Sequence, residues 1–269
     1  MTTKLADKKC YAAALGNCVG KLTGEHYVSH GLLKQFAVNG VIPAISGLNF
    51  LGDRTESIAI RSLTSNILCK GHNEALSRFD AVGDRFFAAL DRIDAAYIAD
   101  VQDSQDENFL FKGHDVERWM LKTLCGIVFS NNASSATSPI TGWRPNLLWL
   151  KILFLNQAFP NNWGLYAYCV AGTTNFVRKF DYNVLSNSSD GVYGLLMALN
   201  GRRFLFAMAT PRREAENTFI GDYLYRPDSL IFSSPASTKT IRFEWDLFGR
   251  GGNVRFVLGD NSKAEATAA

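Results

Sequence analysis

The chain has 269 residues, of which 47% are hydrophobic, and a formal net charge of +3 at pH 7. Its length and apolar content suffice for one large domain or two modest ones, each with a buried core. The sequence contains no strongly basic tract, and with so small a net charge any phosphate contact would depend on a local patch. The N-terminus lacks the apolar run of a signal peptide, and no apolar stretch reaches the length of a membrane span. We therefore expect a cytoplasmic protein without a membrane partner.

Residues 1–78 combine glycines and short apolar runs with little periodicity, which predicts loops and short strands. Residues of the types that bind metals are concentrated in this region: Cys10, Cys18, Cys69, His26 and His72. The odd number of cysteines and the lack of any sign of secretion argue against a disulfide framework. The thiols are therefore expected to be reduced and available as ligands.

Four of these residues form a candidate zinc site. They are Cys10, Cys18, Cys69 and His72. Cys69 and His72 have the Cys-x2-His spacing of a zinc knuckle, and Gly16 would permit the broader loop between the two upstream cysteines. Thiolate and imidazole are the ligands of tetrahedral zinc, and structural sites commonly draw two ligands from each of two segments. Structural Zn²⁺ is predicted here; the alternative is ordinary buried cysteines, the preferred interpretation for Cys125 and Cys169.

Helices are predicted in the middle of the chain. Apolar residues recur at intervals of three and four from Phe79 to Tyr97, which is the periodicity of one buried helical face. Further helices are predicted at residues 115–130, where acidic residues suit the N-terminal end, and at residues 147–154. The acidic stretch 100–107 is expected to be a surface linker, and the small polar residues 131–139 mark a candidate domain boundary.

The C-terminal third changes to a period of two, which predicts a mostly antiparallel sheet. Asn200-Gly201 separates two apolar runs, 195–199 and 202–209, and this dipeptide favours a hairpin turn. Residues 241–247 alternate strictly between apolar and charged side chains, and residues 254–258 follow after a glycine-rich turn. Aromatic residues on these strands could stack bases, but core packing is the preferred interpretation.

Together these patterns predict an α+β protein with a small zinc-stapled N-terminal module, a helical middle and a mostly antiparallel β C-terminal region. The expected divisions are 1–98, the zinc-containing module and its following helix; 99–139, a linker and helix; 140–260, an α+β domain of unknown role; and 261–269, a disordered tail.

Two segments carry a resemblance to a known family. Gly24-Glu25-His26-Tyr27-Val28-Ser29 resembles the acidic-His-aliphatic segment that opens the motif of HNH-family (ββα-metal) endonucleases. Leu68-Cys69-Lys70-Gly71-His72-Asn73 resembles the later segment, in which a zinc knuckle is followed at once by the last motif residue. The upstream cysteines match the other half of the knuckle. The resemblance covers about residues 10–85 and implies a ββα-metal-like module there.

The resemblance also implies roles for individual residues. His26 would be the general base that accepts a proton from the attacking water. Glu25 and Asn73 would hold a catalytic Mg²⁺ or Mn²⁺ ion, and Asn66 would orient His26. Asp80, two helical turns beyond Asn73, could add a carboxylate ligand. The alternatives are a surface pair for Glu25 and His26 and helix caps for Asn73 and Asp80.

Three functions are compatible with the sequence. The first is a metal-dependent endonuclease acting on nucleic acid, with DNA favoured over RNA and a possible protein partner at the C-terminal domain. The second is a non-catalytic, zinc-stabilised module that binds nucleic acid or protein, and the third is a structural or assembly protein. The basic pairs at 178–179, 202–203 and 212–213 could contact phosphate, although such pairs are more often solvated strand edges or turns.

Overall fold

The computed structural model describes residues 9–98, 105–134, 139–169, 173–174, 180–187, 191–209, 222–234, 237–246 and 252–258. This part of the chain contains both helices and strands, with the strands concentrated after residue 160, so the predicted α+β class is confirmed. The described residues form two compact units. Unit 1 draws on residues 1–84, 118–160 and 184–192, and unit 2 on residues 85–117, 161–183 and 193–269.

Both units are assembled from separate segments of the chain. The linear division at residues 98, 139 and 260 stays a prediction. The expected tail at 261–269 lies outside the described residues, as do the basic pairs at 178–179 and 212–213. No helix in the described part of the chain has both the length and the apolar character needed to cross a membrane.

Short strands and turns make up much of residues 9–69, as predicted, but the helix at His30–Phe36 was not predicted, and residues 1–8 lie outside the described part of the chain. Strand β1 (Leu22–His26) is followed by helix α1 (His30–Phe36), and strands β2 (Val41–Ile45) and β3 (Glu56–Ala59) form an antiparallel pair. Strand β4 (Thr64–Cys69) then pairs antiparallel with β1. β1 and β4 thus form a two-stranded sheet, and the segment between them is a long connection.

Helix α2 (Lys70–Ile98) begins immediately after β4. It was predicted to start at Phe79. The first two turns were not predicted, because Gly71 and Asn73 have low helix propensity. Tertiary contacts compensate, since the N–H groups of Lys70 and Gly71 donate to the carbonyl oxygens of Lys21 and Val19 at 2.9 and 3.1 Å. Glycine suits position 71 because a Cβ atom there would lie 3.2 Å from that of Val19.

The other predicted helices are confirmed. Strand β5 (Glu107–Lys112) precedes helix α3 (Gly113–Phe129), and helix α4 (Leu147–Phe154) matches its predicted bounds. Asn146 caps α4 by accepting a hydrogen bond from the backbone N–H of Trp149 at 3.0 Å. Every residue of α3 from Val116 to Val128 is buried.

An antiparallel sheet confirms the C-terminal prediction in part. Its strands are β6 (Gly164–Tyr168), β8 (Phe180–Asn187), β9 (Gly191–Leu199), β10 (Arg202–Ala207) and β11 (Tyr223–Tyr225), in the order β11-β6-β10-β9-β8. Asn200 and Gly201 form the predicted turn between β9 and β10, with φ angles of 48° and 83°. These positive φ angles explain why an Asn-Gly pair stands there.

The second sheet is mixed rather than antiparallel. It contains β5, β7 (Thr173–Thr174), β12 (Ser229–Ser233), β13 (Thr238–Glu244) and β14 (Asn253–Leu258), in the order β5-β13-β12-β14-β7. Only β12 and β13 are antiparallel; the other three pairings are parallel. β13 and β14 therefore do not form a hairpin, because they lie on opposite sides of β12. Most of the predicted glycine-rich turn between them lies outside the described residues.

Unit 2 also contains buried ion pairs. Glu117 is fully buried and accepts two hydrogen bonds from the Arg226 guanidinium, at 2.8 and 3.0 Å, and one from the backbone N–H of Leu165. The guanidinium of Arg202 is likewise buried against Asp94. Arg202 was considered for phosphate contact, and this interpretation is wrong because its charge is already neutralised inside the protein.

Candidate metal centre

The four predicted zinc ligands come together in unit 1. Nδ1 of His72 lies 3.1 Å from Sγ of Cys69, 3.5 Å from Sγ of Cys10 and 3.8 Å from Sγ of Cys18. All four ligand atoms lie within 4.8 Å of one another. With Zn–S and Zn–N bonds of about 2.3 and 2.0 Å, the edges of a tetrahedral site measure about 3.5 to 3.8 Å. The donor set and its dimensions fit a zinc ion.

Local structure delivers these ligands from three places. Cys69 ends strand β4 and His72 lies in the first turn of α2, so the Cys-x2-His knuckle spans a strand-to-helix junction. The segment of Cys10 is fixed to β4 by a hydrogen bond from the N–H of Tyr11 to the carbonyl of Ile67, at 3.0 Å. A short 3-10 turn, Ala13–Leu15, ends at Gly16 with φ of 75°, and this reversal brings Cys18 back to the cluster.

Hydrogen bonds to neighbouring groups orient the ligand side chains. Nε2 of His72 lies 2.8 Å from Oδ1 of Asn17, so the N–H of this tautomer donates to the amide oxygen and Nδ1 faces the thiols. The N–H of Cys69 donates to Sγ of Cys10 at 3.4 Å. Burial lowers the pKa of His72 and favours the neutral imidazole that a metal requires.

Burial and mutual contact shift the pKa values of the three thiols. Burial raises the pKa of Cys10, and burial together with the neighbouring Cys10 thiol raises that of Cys18. Burial has the same tendency at Cys69, but hydrogen bonds from the N–H groups of His72 and Val19 outweigh it and lower its pKa. A divalent cation would stabilise all three thiolates together. Four protein ligands would complete a tetrahedron around such a cation, which is the arrangement of structural zinc sites.

A second polar cluster lies in unit 1 and contains two of the predicted ligands of the catalytic cation. Glu25 on β1 is buried, and its carboxylate forms an ion pair with the ammonium of Lys122 on α3. The same ammonium lies 2.5 Å from Oδ1 of Asp80 on α2. Asp80 also accepts a hydrogen bond from the Ser29 hydroxyl at 3.0 Å, and that hydroxyl accepts one from the indole N–H of Trp119 at 2.8 Å.

His26 ends strand β1 next to this cluster. Its ring is stacked on that of His30, with centroids 4.7 Å apart. Burial, together with the nearby His30 and Lys122, lowers the pKa of His26 to about 4. Its imidazole is therefore neutral at pH 7, and its buried Nε2 atom has no hydrogen-bond partner among the described residues.

The two asparagines of the predicted site differ in their surroundings. Asn73 on α2 donates to Oγ1 of Thr23 at 2.9 Å and to the carbonyl of Gly24 at 3.2 Å, so its side chain is fixed against β1. Asn66 on β4 is exposed and stands opposite Gly24 in the β1–β4 ladder. No contact between Asn66 and His26 is present among the described residues, and its orienting role stays a prediction.

Comparison with known proteins adds no identification: no protein-family model, curated protein or solved structure matches this chain. The description of the site therefore rests on its own geometry.

Two residues of these clusters were missed by the sequence analysis. Asn17 immediately precedes the candidate ligand Cys18, and this position was the available signal that its side chain would hydrogen-bond to another ligand. Lys122 had no comparable signal. It lies on a helix more than forty residues beyond Asp80, and nothing in its local pattern separates it from an exposed lysine.

Replacing Asn17 with alanine is expected to weaken zinc binding by about 10- to 100-fold, because the His72 imidazole loses the acceptor that holds its tautomer and orientation. Competition with a chromophoric chelator measures this affinity. Asn17→Asp is the matched control, since a carboxylate retains the acceptor and should preserve zinc affinity. Equal affinities for the alanine variant and the unmodified protein would show that Asn17 has no role at the metal.

Proposed function

We propose that this protein is a metal-dependent phosphodiesterase, of the endonuclease type, that acts on nucleic acid and is stapled by zinc. The observation that carries the proposal is the position of Glu25 and His26 at the end of β1, antiparallel to a strand that runs directly into the zinc knuckle and helix α2. The paired strands β1 and β4 and the helix α2 thus form a strand, strand, helix arrangement, with α1, β2 and β3 inserted between the two strands. It supports a ββα-metal-type module within residues 10–98.

The position of Asn73 supports the same proposal. It directly follows the zinc ligand His72, and its amide group reaches the carbonyl of Gly24, the residue before Glu25. Zinc at the knuckle would therefore fix the start of α2 and, through it, the distance between Asn73 and the end of β1. In this view zinc has a structural role, and the reaction occurs beside it.

His26 is suited to accept a proton. Because its pKa is depressed to about 4, nearly all molecules carry a neutral imidazole at pH 7. Its Nε2 atom has no hydrogen-bond partner among the described residues and is buried, so the surrounding side chains would have to move to admit the attacking water. Asn66, if it moves towards His26 when substrate binds, would help to orient the ring.

Glu25 and Asn73 offer the oxygen ligands for a Mg²⁺ or Mn²⁺ ion, with Asp80 as a further carboxylate. Bound there, the ion would stabilise negative charge on the phosphate and on the leaving oxygen. The protein's own residues would hold the end of β1 and the start of α2 together around the scissile phosphate.

A cleavage assay tests the proposal. Zinc-loaded protein is incubated with supercoiled plasmid DNA, and separately with single-stranded RNA, in Mg²⁺, in Mn²⁺ and without a divalent ion. We expect cleavage that requires the divalent ion, and His26→Ala should reduce its rate by about 10²- to 10⁴-fold because the general base is lost.

His30→Ala is the matched control for this experiment, since His30 is an exposed histidine that contacts the His26 ring. It should retain most of the activity, and both variants should retain their zinc. Cleavage that persists in the His26→Ala protein would exclude His26 as the base. Absence of cleavage by the unmodified protein on both substrates would refute the enzymatic proposal.

A second candidate is a non-catalytic zinc-stabilised module that binds nucleic acid or protein. It is favoured by the ion pair of Glu25 with Lys122, which already supplies a positive charge to the carboxylate. Binding of labelled DNA without cleavage in the same assay would support this second function.

A further inference from the structure

The ion cluster of Glu25, Asp80 and Lys122 is unusual because its members come from three different elements of unit 1. Glu25 is on β1, Asp80 on α2 and Lys122 on α3. The side chains of Lys122 and Glu25 are only 4% and 6% exposed, and that of Asp80 is 28% exposed. One ammonium group thus contacts two carboxylates in a mostly buried position.

The ammonium of Lys122 faces both carboxylates at once, since it forms an ion pair with Glu25 and lies 2.5 Å from Oδ1 of Asp80. The Ser29 hydroxyl donates to the Asp80 carboxylate, and the indole N–H of Trp119 donates to that hydroxyl. The carboxylates are thus arranged around a fixed central positive charge.

We infer that the ammonium of Lys122 occupies the position of a divalent cation between Glu25 and Asp80, so that Mg²⁺ or Mn²⁺ binds these carboxylates only in competition with it. This inference rests on the cation site of the proposed function and adds a residue that determines its affinity. Lys122 is a positioning residue in this account, since it acts through the carboxylates and touches no substrate.

The physical basis is charge and space. Divalent Mg²⁺ and Mn²⁺ ions prefer hard oxygen ligands such as carboxylates. An ammonium within hydrogen-bond distance of the same oxygens neutralises part of their negative charge and occupies the space that the metal ion would need. Two carboxylates with one ammonium carry a net charge of −1, whereas the same pair without the lysine carries −2. Removal of the ammonium should therefore increase the affinity for a divalent ion.

Binding of Mn²⁺, measured by the electron paramagnetic resonance signal of the free ion, tests this inference in zinc-loaded protein. Lys122→Met is expected to bind Mn²⁺ at least about 10-fold more tightly than the unmodified protein. Lys122→Arg, which keeps the positive charge, should show no gain. The double variant Lys122→Met/Glu25→Gln should lose the gain, which assigns the site to these carboxylates.

Removal of a buried ammonium leaves two carboxylates without compensation, so the methionine variant is expected to be less stable until Mn²⁺ is added. Its melting temperature should rise with Mn²⁺ concentration, whereas that of the unmodified protein should change little. Lys122→Gln, which loses the charge but can still donate a hydrogen bond, is the second variant. If neither variant folds in the presence of Mn²⁺, a divalent ion cannot replace the ammonium and the inference is wrong.

Two further outcomes would also overturn the inference. One is a folded Lys122→Met protein that binds Mn²⁺ no more tightly than the unmodified protein, and the other is tight, Glu25-dependent Mn²⁺ binding with Lys122 in place. Because the measurement is binding rather than cleavage, its result is separate from the enzymatic proposal. A gain in Mn²⁺ affinity in a protein that cleaves nothing would support the inference and refute the proposed activity.

Discussion

Cys69→Ser is expected to abolish stoichiometric zinc binding and to destabilise unit 1 by several kcal/mol. Cys69 is fully buried, its Sγ atom lies 3.1 Å from Nδ1 of His72, and it joins β4 to α2. Zinc binding to structural sites contributes directly to folding, with apparent free energies of about 10–16 kcal/mol in zinc-finger peptides. Metal analysis of the purified protein and thermal unfolding followed by circular dichroism measure the two effects.

Cys125→Ala is the matched control for this substitution. Cys125 is another fully buried cysteine, but it lies on α3 outside the cluster. Loss of its sulfur should cost about 1 kcal/mol through the small cavity and leave the zinc content unchanged. Cys169→Ser, at an exposed position, should change neither quantity. If Cys69→Ser kept its zinc, or destabilised the protein no more than Cys125→Ala, the structural role of the cluster would be excluded.

Glu117→Ala is expected to cost about 3–5 kcal/mol, the second large effect, because it leaves the Arg226 guanidinium buried without a counter-charge. The same change removes the acceptor of the Leu165 N–H group at the start of β6. Chemical denaturation measures the loss, and it should appear as a lower denaturant midpoint. Zinc content should be unaffected, since Glu117 belongs to unit 2 and the metal ligands to unit 1.

Two comparisons test whether the loss of stability in Glu117→Ala comes from the buried ion pair. Arg92→Ala removes an ion pair with Glu107 in which the arginine side chain is 66% exposed, and it should cost less than about 1 kcal/mol. Replacing both partners, as in Glu117→Leu/Arg226→Met, should restore much of the stability lost in Glu117→Ala, because no buried charge then lacks a partner. A double variant as unstable as the single one would assign the loss to packing instead.

Where local pattern decides structure, sequence reasoning reached the correct elements. The periodicity of Phe79–Tyr97 identified the core of α2, and Asn200-Gly201 identified the β9–β10 turn. The start of α2 at Lys70 was not predictable in this way. Its first N–H groups are satisfied by carbonyls of residues 19 and 21, so the helix begins where tertiary contacts permit rather than where propensity is high.

The pairing of strands that are distant in the sequence could not be predicted from local patterns either. Alternation in residues 241–247 predicted a strand with one buried face, which β13 has. It carried no information on whether the neighbours would be parallel, and β13 pairs in parallel with β5, more than one hundred residues earlier. The antiparallel prediction therefore failed for most of the second sheet.

By itself, the sequence determined the ligand set of the candidate zinc site, since Cys10, Cys18, Cys69 and His72 are recognisable from residue chemistry and a short spacing. Only the tertiary structure decided what surrounds Glu25 and Asp80. Their partner Lys122 comes from a different helix, and Coulomb interactions depend on distance in space rather than along the chain. A carboxylate that looks like a metal ligand in the sequence can thus be neutralised in the fold by a lysine that no local pattern indicates.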